Sequence, residues 1–236
     1  MKKIGILGAM EQEITLIQQS LQNLTTVNHQ HMTFYCGTLH GVEVILARCG
    51  IGKVAAAVGT SVMIERFAPE CVINTGSAGG FDQDLNIGDL VIGESVLHHD
   101  VDLTHFGYAL GQCAGGMPAT YTSDARLIAA AQAAAAKLDG IQCKTGQICT
   151  GDAFIGSDEA ALKIKHAFPH ASATEMEGAA IAQSAHLLNT PCLVIRSLSD
   201  IAGKTSTESF TSYLEKAAKH SAELVMDMIA QLASDA

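Results

Sequence analysis

The chain has 236 residues, which suits one large domain with room for a substantial core. Hydrophobic residues make up 48% and charged residues 16%, a globular balance that excludes a disordered chain. The formal net charge of −10 excludes a generic nucleic-acid binder, which needs a basic stripe, and no apolar run is long enough to span a bilayer.

Lys3 to Ala9 reads as a first strand. The opening Met1–Met10 has too short an apolar core for a signal peptide, and Glu11 and Glu13 follow at once. A polar helix is expected from about Glu11 to Leu21, then a hairpin of Phe34–Leu39 and Val42–Arg48 around His40-Gly41. Gly50-Ile-Gly-Lys-Val-Ala-Ala-Ala57 opens a second helix that ends near Phe67-Ala-Pro69. Cys71–Asn74 is a buried strand running into a Gly-rich turn, Thr75-Gly-Ser-Ala-Gly-Gly80, and Asp89–Leu97 is another strand. His98 to Tyr121 is irregular. Ser123-Asp124 caps an Ala-rich helix that stops at Gly140, with Lys137 in its last turn. A strand over Cys143–Thr150, a helix over Asp158–Phe168, a short strand at Ala173–Met176 and a helix over Gly178–Leu188 follow. Cys192-Leu-Val-Ile195 is an unbroken apolar run suited to a strand buried on both faces, and a polar exit, Arg196 to Asp200, leads into a Ser/Thr/Gly loop. The last helix begins between Thr207 and Ser212. Its stripe of Leu214, Ala218, Ser221, Val225, Met228 and Leu232 packs down. The alternation predicts a single three-layer α/β domain over residues 1–236, with a mixed central sheet flanked by helices.

Polar chemistry follows predicted strands at Met10–Glu13, Asn74–Gly80, Met176–Gly178 and Arg196–Asp200. Parallel strands would bring these stretches to one edge of the sheet, where α/β folds bind ligands. Asp200, half inside an apolar sheet, is read as a general acid, because burial raises a carboxyl's pKa. Glu13 by position alone is a carboxylate favouring a helix N-terminus. Glu177 has the same bland reading, although Glu175 and Glu177 together in a buried segment are costly unless partnered or used. The Gly-rich turn is either a tight turn or a close backbone approach to a ligand with Ser77 as a donor. His98, His99, Asp100, Asp102 and His105 read as a polar strand end rather than a zinc site. Strand alternation would put His98, Asp100 and Asp102 on one face. Asp152 is read either as a second polar anchor or as a residue that turns the chain.

Six motifs in order then resemble the bacterial 5′-methylthioadenosine/S-adenosylhomocysteine nucleosidases. They are Gly8-Ala-Met-Glu-Gln-Glu13, Gly50 to Ala57, Asn74 to Gly80, Thr150-Gly-Asp-Ala-Phe-Ile155, Glu175-Met-Glu177 and Arg196-Ser-Leu-Ser-Asp200. The resemblance covers essentially the whole chain. It implies the nucleoside phosphorylase-like fold, a homodimer, and cofactor-free and metal-free hydrolysis of the N-glycosidic bond of 5′-methylthioadenosine and S-adenosylhomocysteine. It further implies 5′-deoxyadenosine as a substrate and a role in methionine salvage. By the same resemblance Asp200 protonates adenine N7, Glu13 activates water and Glu177 binds the ribose hydroxyls. Ser77, Ala78 and Gly79 line the sugar and base, Phe154 and Ile155 form the adenine site, Met10, Ile51 and Phe210 are apolar walls, and Met176, Arg196 and Ser199 lie nearby. Leu103, Phe106 and Tyr108, on a loop that reads Cys113-Ala-Gly-Gly-Met-Pro118 and is one residue longer than the pattern, correspond to contacts offered to a partner subunit's pocket. Seven Cys with no C-x-x-C pair favour reduced thiols and a cytoplasmic location.

Three rivals stay open at this stage. A purine nucleoside phosphorylase would need cationic groups for phosphate, for which Arg48 and Arg196 are candidates. A non-catalytic nucleoside binder would explain the Gly turns but not three separate carboxylates. A metal hydrolase would rest on His98–His105 alone.

Overall fold

The apolar run at Cys192 opens a strand on which the rest of the fold is hung. In chain order the elements are β1 (Lys3–Gly8), α1 (Glu11–Ser20), β2 (Gln22–His29), β3 (Met32–Leu39), β4 (Val42–Arg48), α2 (Lys53–Phe67), β5 (Cys71–Asn74), β6 (Ser77–Gly80), β7 (Leu90–His98), β8 (Tyr121–Thr122), α3 (Ala125–Ala135), β9 (Cys143–Thr150), α4 (Asp158–Ala167), β10 (Ala171–Glu175), α5 (Gly178–Leu187), β11 (Cys192–Ile201) and α6 (Ser206–Ser234). The computed structural model describes residues 1–201 and 206–234, the side chains of 206–212 excepted.

The sheet is mixed, in the order β2-β3-β4-β1-β5-β11-β6-β10-β9-β7-β8. β1 lies parallel to β4 and to β5. Along one edge β11 pairs first with β5, through Cys192–Val194, and then with β6, through Ser197–Ile201. Its other edge pairs antiparallel with β7 at Ile195–Ser197. That last pairing closes β11, β6, β10, β9 and β7 into a ring, so the flat half of the sheet runs into a small barrel.

Period-two alternation along the strands sends side chains to opposite faces. Ile4, Ile6, Ile73, Leu193 and Ile195 meet Ile14 and Ile17 of α1, Leu127 and Ala131 of α3, and Val225 and Met228 of α6. Leu7, Ile45 and Val72 point the other way, onto Met63 and Ile64 of α2 and Ile181 and Ala185 of α5. These are the three layers expected. Each fully buried Ile or Leu contributes roughly 1.5–3 kcal/mol relative to exposure.

Several expectations need correction. No element was expected over Gln22–His29, which is an exposed strand paired antiparallel with β3. Its polar, solvated residues carry no apolar alternation to announce it. The Gly-rich turn contains β6, because β11 and β10 satisfy its backbone from both sides. The residues Arg196–Asp200, expected as a polar exit just after the strand, belong to β11 itself and are buried. α3 ends at Ala135, so Lys137 lies past its last turn. α6 starts at Ser206, ahead of the expected range, and Ala218, Ser221, Val225, Met228 and Leu232 of its stripe are buried.

Candidate active site

Glu13 is the third residue of α1, and its side chain folds back over the helix start. Oε2 accepts from Ala9 N (2.8 Å) and Met10 N (3.0 Å), donors that an N-terminal first turn leaves without helical partners. Oε1 accepts from Ser77 N (3.0 Å) and the Ser77 hydroxyl (3.2 Å) on β6. The bland role is therefore real, and it also fixes a carboxylate on the wall of a cleft. Gly76 makes room for it: a Cβ there would stand 2.8 Å from Glu13 Oε1.

Asp200 sits where the β11–β6 register shifts between Leu198 and Asp200. Its Oδ1 accepts from the Ser199 hydroxyl at 2.9 Å. Burial pushes its carboxyl above the ordinary value, and the Ser199 bond offsets this in part. Gly79 opposite keeps the approach open, since a Cβ there would come within 3.2 Å of Asp200 Oδ2.

Glu175 and Glu177 divide the work. Glu175 Oε2 accepts from Glu177 N (3.0 Å), Gly178 N (2.7 Å) and Arg196 Nη2 (2.5 Å), while Oε1 takes the Thr150 hydroxyl. Arg196 is 1% exposed, and it also donates to Asn74 Oδ1 and to Ile195 O. It is thus committed behind the wall of the cleft rather than facing into it. Glu177 keeps one oxygen toward Gly52 N at 2.8 Å and the other 4.0 Å from Arg196 Nη2. Burial, and then the Glu175 charge, push Glu177 up to about 7.

Met10, Glu13, Ile51, Ser77, Ala78, Gly79, Phe154, Met176, Glu177, Ser199 and Asp200 line one cleft of about 470 Å³. Ile155 lines an adjoining cavity of about 250 Å³, shared with Gly79, Phe154 and Asp200. Three residues outside the expected set join them: Ala9 and Thr174 in the walls, and Glu175, whose burial cost was the sequence signal for a partner. Leu103, Phe106 and Tyr108 do not line the cleft. Phe106 ends a short 3₁₀ turn, Thr104–Phe106, and is 74% exposed. The side chain of Phe210 lies outside what is described. Arg48 is on the surface with Glu11, 3.7 Å away. β7 ends at His98, so His98, Asp100 and Asp102 do not share a strand face. His98 bonds Gln183, Asp100 bonds Lys53, and Asp102 accepts from Thr104.

The phosphorylase superfamily profile matches residues 3–230. A 5′-methylthioadenosine/S-adenosylhomocysteine nucleosidase of Aeromonas salmonicida (strain A449) is 52% identical over 230 residues, covering 98% of this chain and 100% of that one. The crystal structure of the nucleosidase of the same name from Neisseria meningitidis, in complex with methylthio-immucillin-A, superposes with a TM-score of 0.95 at 45% identity, covering 98% of this chain and 100% of that one. That of Colwellia psychrerythraea 34H, in complex with adenine, also reaches 0.95, at 47% identity, covering 98% and 96%.

Proposed function

Because the chain belongs to the 5′-methylthioadenosine/S-adenosylhomocysteine nucleosidase family of the phosphorylase superfamily, and so is a hydrolase of N-glycosyl bonds, we propose that Asp200, Glu13 and Glu177 divide the chemistry of that hydrolysis among them. The observation that carries this reading is their convergence on one cleft, which has no Lys or Arg among its described lining residues.

The purine lies along Phe154 and Ile155, in the smaller cavity that reaches Asp200. Asp200, whose acid form burial favours, gives its proton to N7. The C1′–N9 bond breaks with its electron pair passing to the base, and neutral adenine departs. Water attacks C1′ and yields its proton to Glu13, whose four hydrogen bonds hold it in place. Glu177 accepts from the ribose hydroxyls, and it and Glu13 stabilise the cationic sugar of the transition state, as paired carboxylates do in glycoside hydrolysis. Solvent then takes the proton from Glu13 and returns one to Asp200, which resets the site. A general acid supplies about 10²–10⁴-fold and enzymes commonly reach at least ~10⁶, so fixed positioning and electrostatics supply the rest. Met10, Ile51 and Met176 form apolar walls. Leu103, Phe106 and Tyr108 complete the 5′-thio pocket from a partner subunit. The exposed apolar stripe of Ile51, Val54 and Val58 supports a homodimer. Use of 5′-deoxyadenosine, a place in methionine salvage and a cytoplasmic location belong to the same proposal.

Water rather than phosphate is the nucleophile. Glu13 would repel phosphate, Arg196 is held by Glu175 and Asn74, and Arg48 faces solvent. The test is adenine release from 5′-methylthioadenosine by chelator-treated protein, with and without phosphate. Equal release with free methylthioribose is expected. Release only with phosphate would overturn the reading.

A further inference from the structure

α2 begins without help from its own sequence. Its N-cap is Gly52, with no side-chain cap, and its first turn contains no acidic residue. The orphan amides of a helix start need acceptors, and two carboxylates remote in sequence supply them. Gly52 N donates to Glu177 Oε1 at 2.8 Å, and Lys53 N donates to Asp152 Oδ1 at 2.8 Å. Asp152 is anchored in turn. Its own N–H donates to Asp100 Oδ2 at 3.0 Å, and Asp100 Oδ1 accepts from Lys53 Nζ at 2.7 Å. Lys53, Asp152 and Asp100 thus form a closed ring of hydrogen bonds. It ties together three segments: the start of α2, the turn after β9 and the end of β7. Gly52 has φ +93°, and a Cβ there would sit 3.0 Å from Asp152 Oδ1, so the closeness of the join depends on glycine.

The place of this ring gives it a use. Lys53 is two residues from Ile51, and Asp152 two from Phe154. Ile51 and Phe154 both line the cleft, yet are 58% and 51% exposed. We propose that Asp152 is a positioning residue that, with Lys53 and Asp100, latches the start of α2 to the turn after β9 and so sets the spacing of Ile51 and Phe154 and the seat of Glu177. The inference rests on the reading of the cleft given above, and it adds a residue that does not line it.

Asp152→Ala removes the acceptor, whereas Asp152→Asn keeps an oxygen for Lys53 N. For 5′-methylthioadenosine, Asp152→Ala is expected to raise KM about two- to tenfold, the net worth of about one hydrogen bond, with a smaller change in kcat. Asp152→Asn is expected to restore wild-type KM. Hydrogen exchange over residues 50–57 reads the latch without turnover, with protection lost in Asp152→Ala and kept in Asp152→Asn. Lys53→Met opens the ring at Asp100 alone and is expected to move KM and exchange the same way, by less. Folded Asp152→Ala with wild-type KM and exchange would overturn the proposal. So would Asp152→Asn behaving like Asp152→Ala or, should Asp152→Ala not fold, Lys53→Met with both readouts unchanged. Adenine release by the wild-type enzyme tests the reading of the cleft, and exchange tests the latch, so the two can fail separately.

Discussion

Glu177→Gln separates what this carboxyl costs the fold from what it gives the reaction. Glu177 titrates at about 7 in the folded protein, against an ordinary value of 4.5, because burial and the neighbouring Glu175 charge disfavour its ionised form. A group with a raised folded-state pKa contributes stability that is fully present below the unfolded value and is lost as pH rises through the folded one. For Glu177 that window runs from 4.5 to about 7. At about 1.4 kcal/mol per pH unit, the loss amounts to about 3 kcal/mol, a large share of a typical domain's stability of about 5–15 kcal/mol. Glutamine has no such titration, and its amide oxygen can still accept from Gly52 N. The variant should therefore gain on the wild type by about 3 kcal/mol as pH rises from about 4.5 to about 8, when both are unfolded in urea across that range. Comparison between the two chains cancels every titration that they share. Activity should go the other way. Hydrogen bonds to a charged acceptor are worth about 1.5–3 kcal/mol each, so, on the role proposed for Glu177 at two ribose hydroxyls, losing the carboxylate should lower kcat/KM by at least about 10²-fold. Parallel stability curves in the two proteins would refute the burial argument for Glu177.

Asp200→Asn should cut adenine release about 10²–10⁴-fold by removing the proton donor, with little change in thermal unfolding; wild-type turnover across the pH range would remove Asp200 from the mechanism. Glu175→Leu should destabilise the protein by about 3–5 kcal/mol, because Arg196 at 1% exposure would keep its charge without its carboxylate partner. Chemical denaturation measures this, and a cost below about 1 kcal/mol would contradict a buried pair. Gly76→Ala should reduce kcat at least tenfold, since the new Cβ would stand 2.8 Å from Glu13 Oε1 and displace it. A steady-state assay that finds wild-type kcat would show that Glu13 need not hold its place.

The layers and the grouping of the polar motifs follow from local sequence pattern. The Cys192–Ile195 run, the periodic stripe of α6 and the alternation of strands and helices are local patterns of apolar residues, and burial follows from them directly. The motifs around Glu13, Ser77, Phe154, Glu177 and Asp200 likewise lie where strands end, and the folded chain brings them to one cleft. The remainder depends on pairing between distant segments. Gln22–His29 is a strand only because β3 offers it an edge. Arg196–Asp200 continues β11 because β6 runs alongside, and it is β7 on the opposite edge that closes the ring. Glu175 is affordable in the interior only because Arg196, 21 residues away, meets it there. The hydrogen-bond ring of Asp152, Lys53 and Asp100 joins three segments that read separately as a turn or polar anchor, a helix start and a polar strand end. Local periodicity reports which face a residue turns to the core. It has no access to which donor will stand within 3 Å of a given carboxylate, since that depends on the packing of the whole chain.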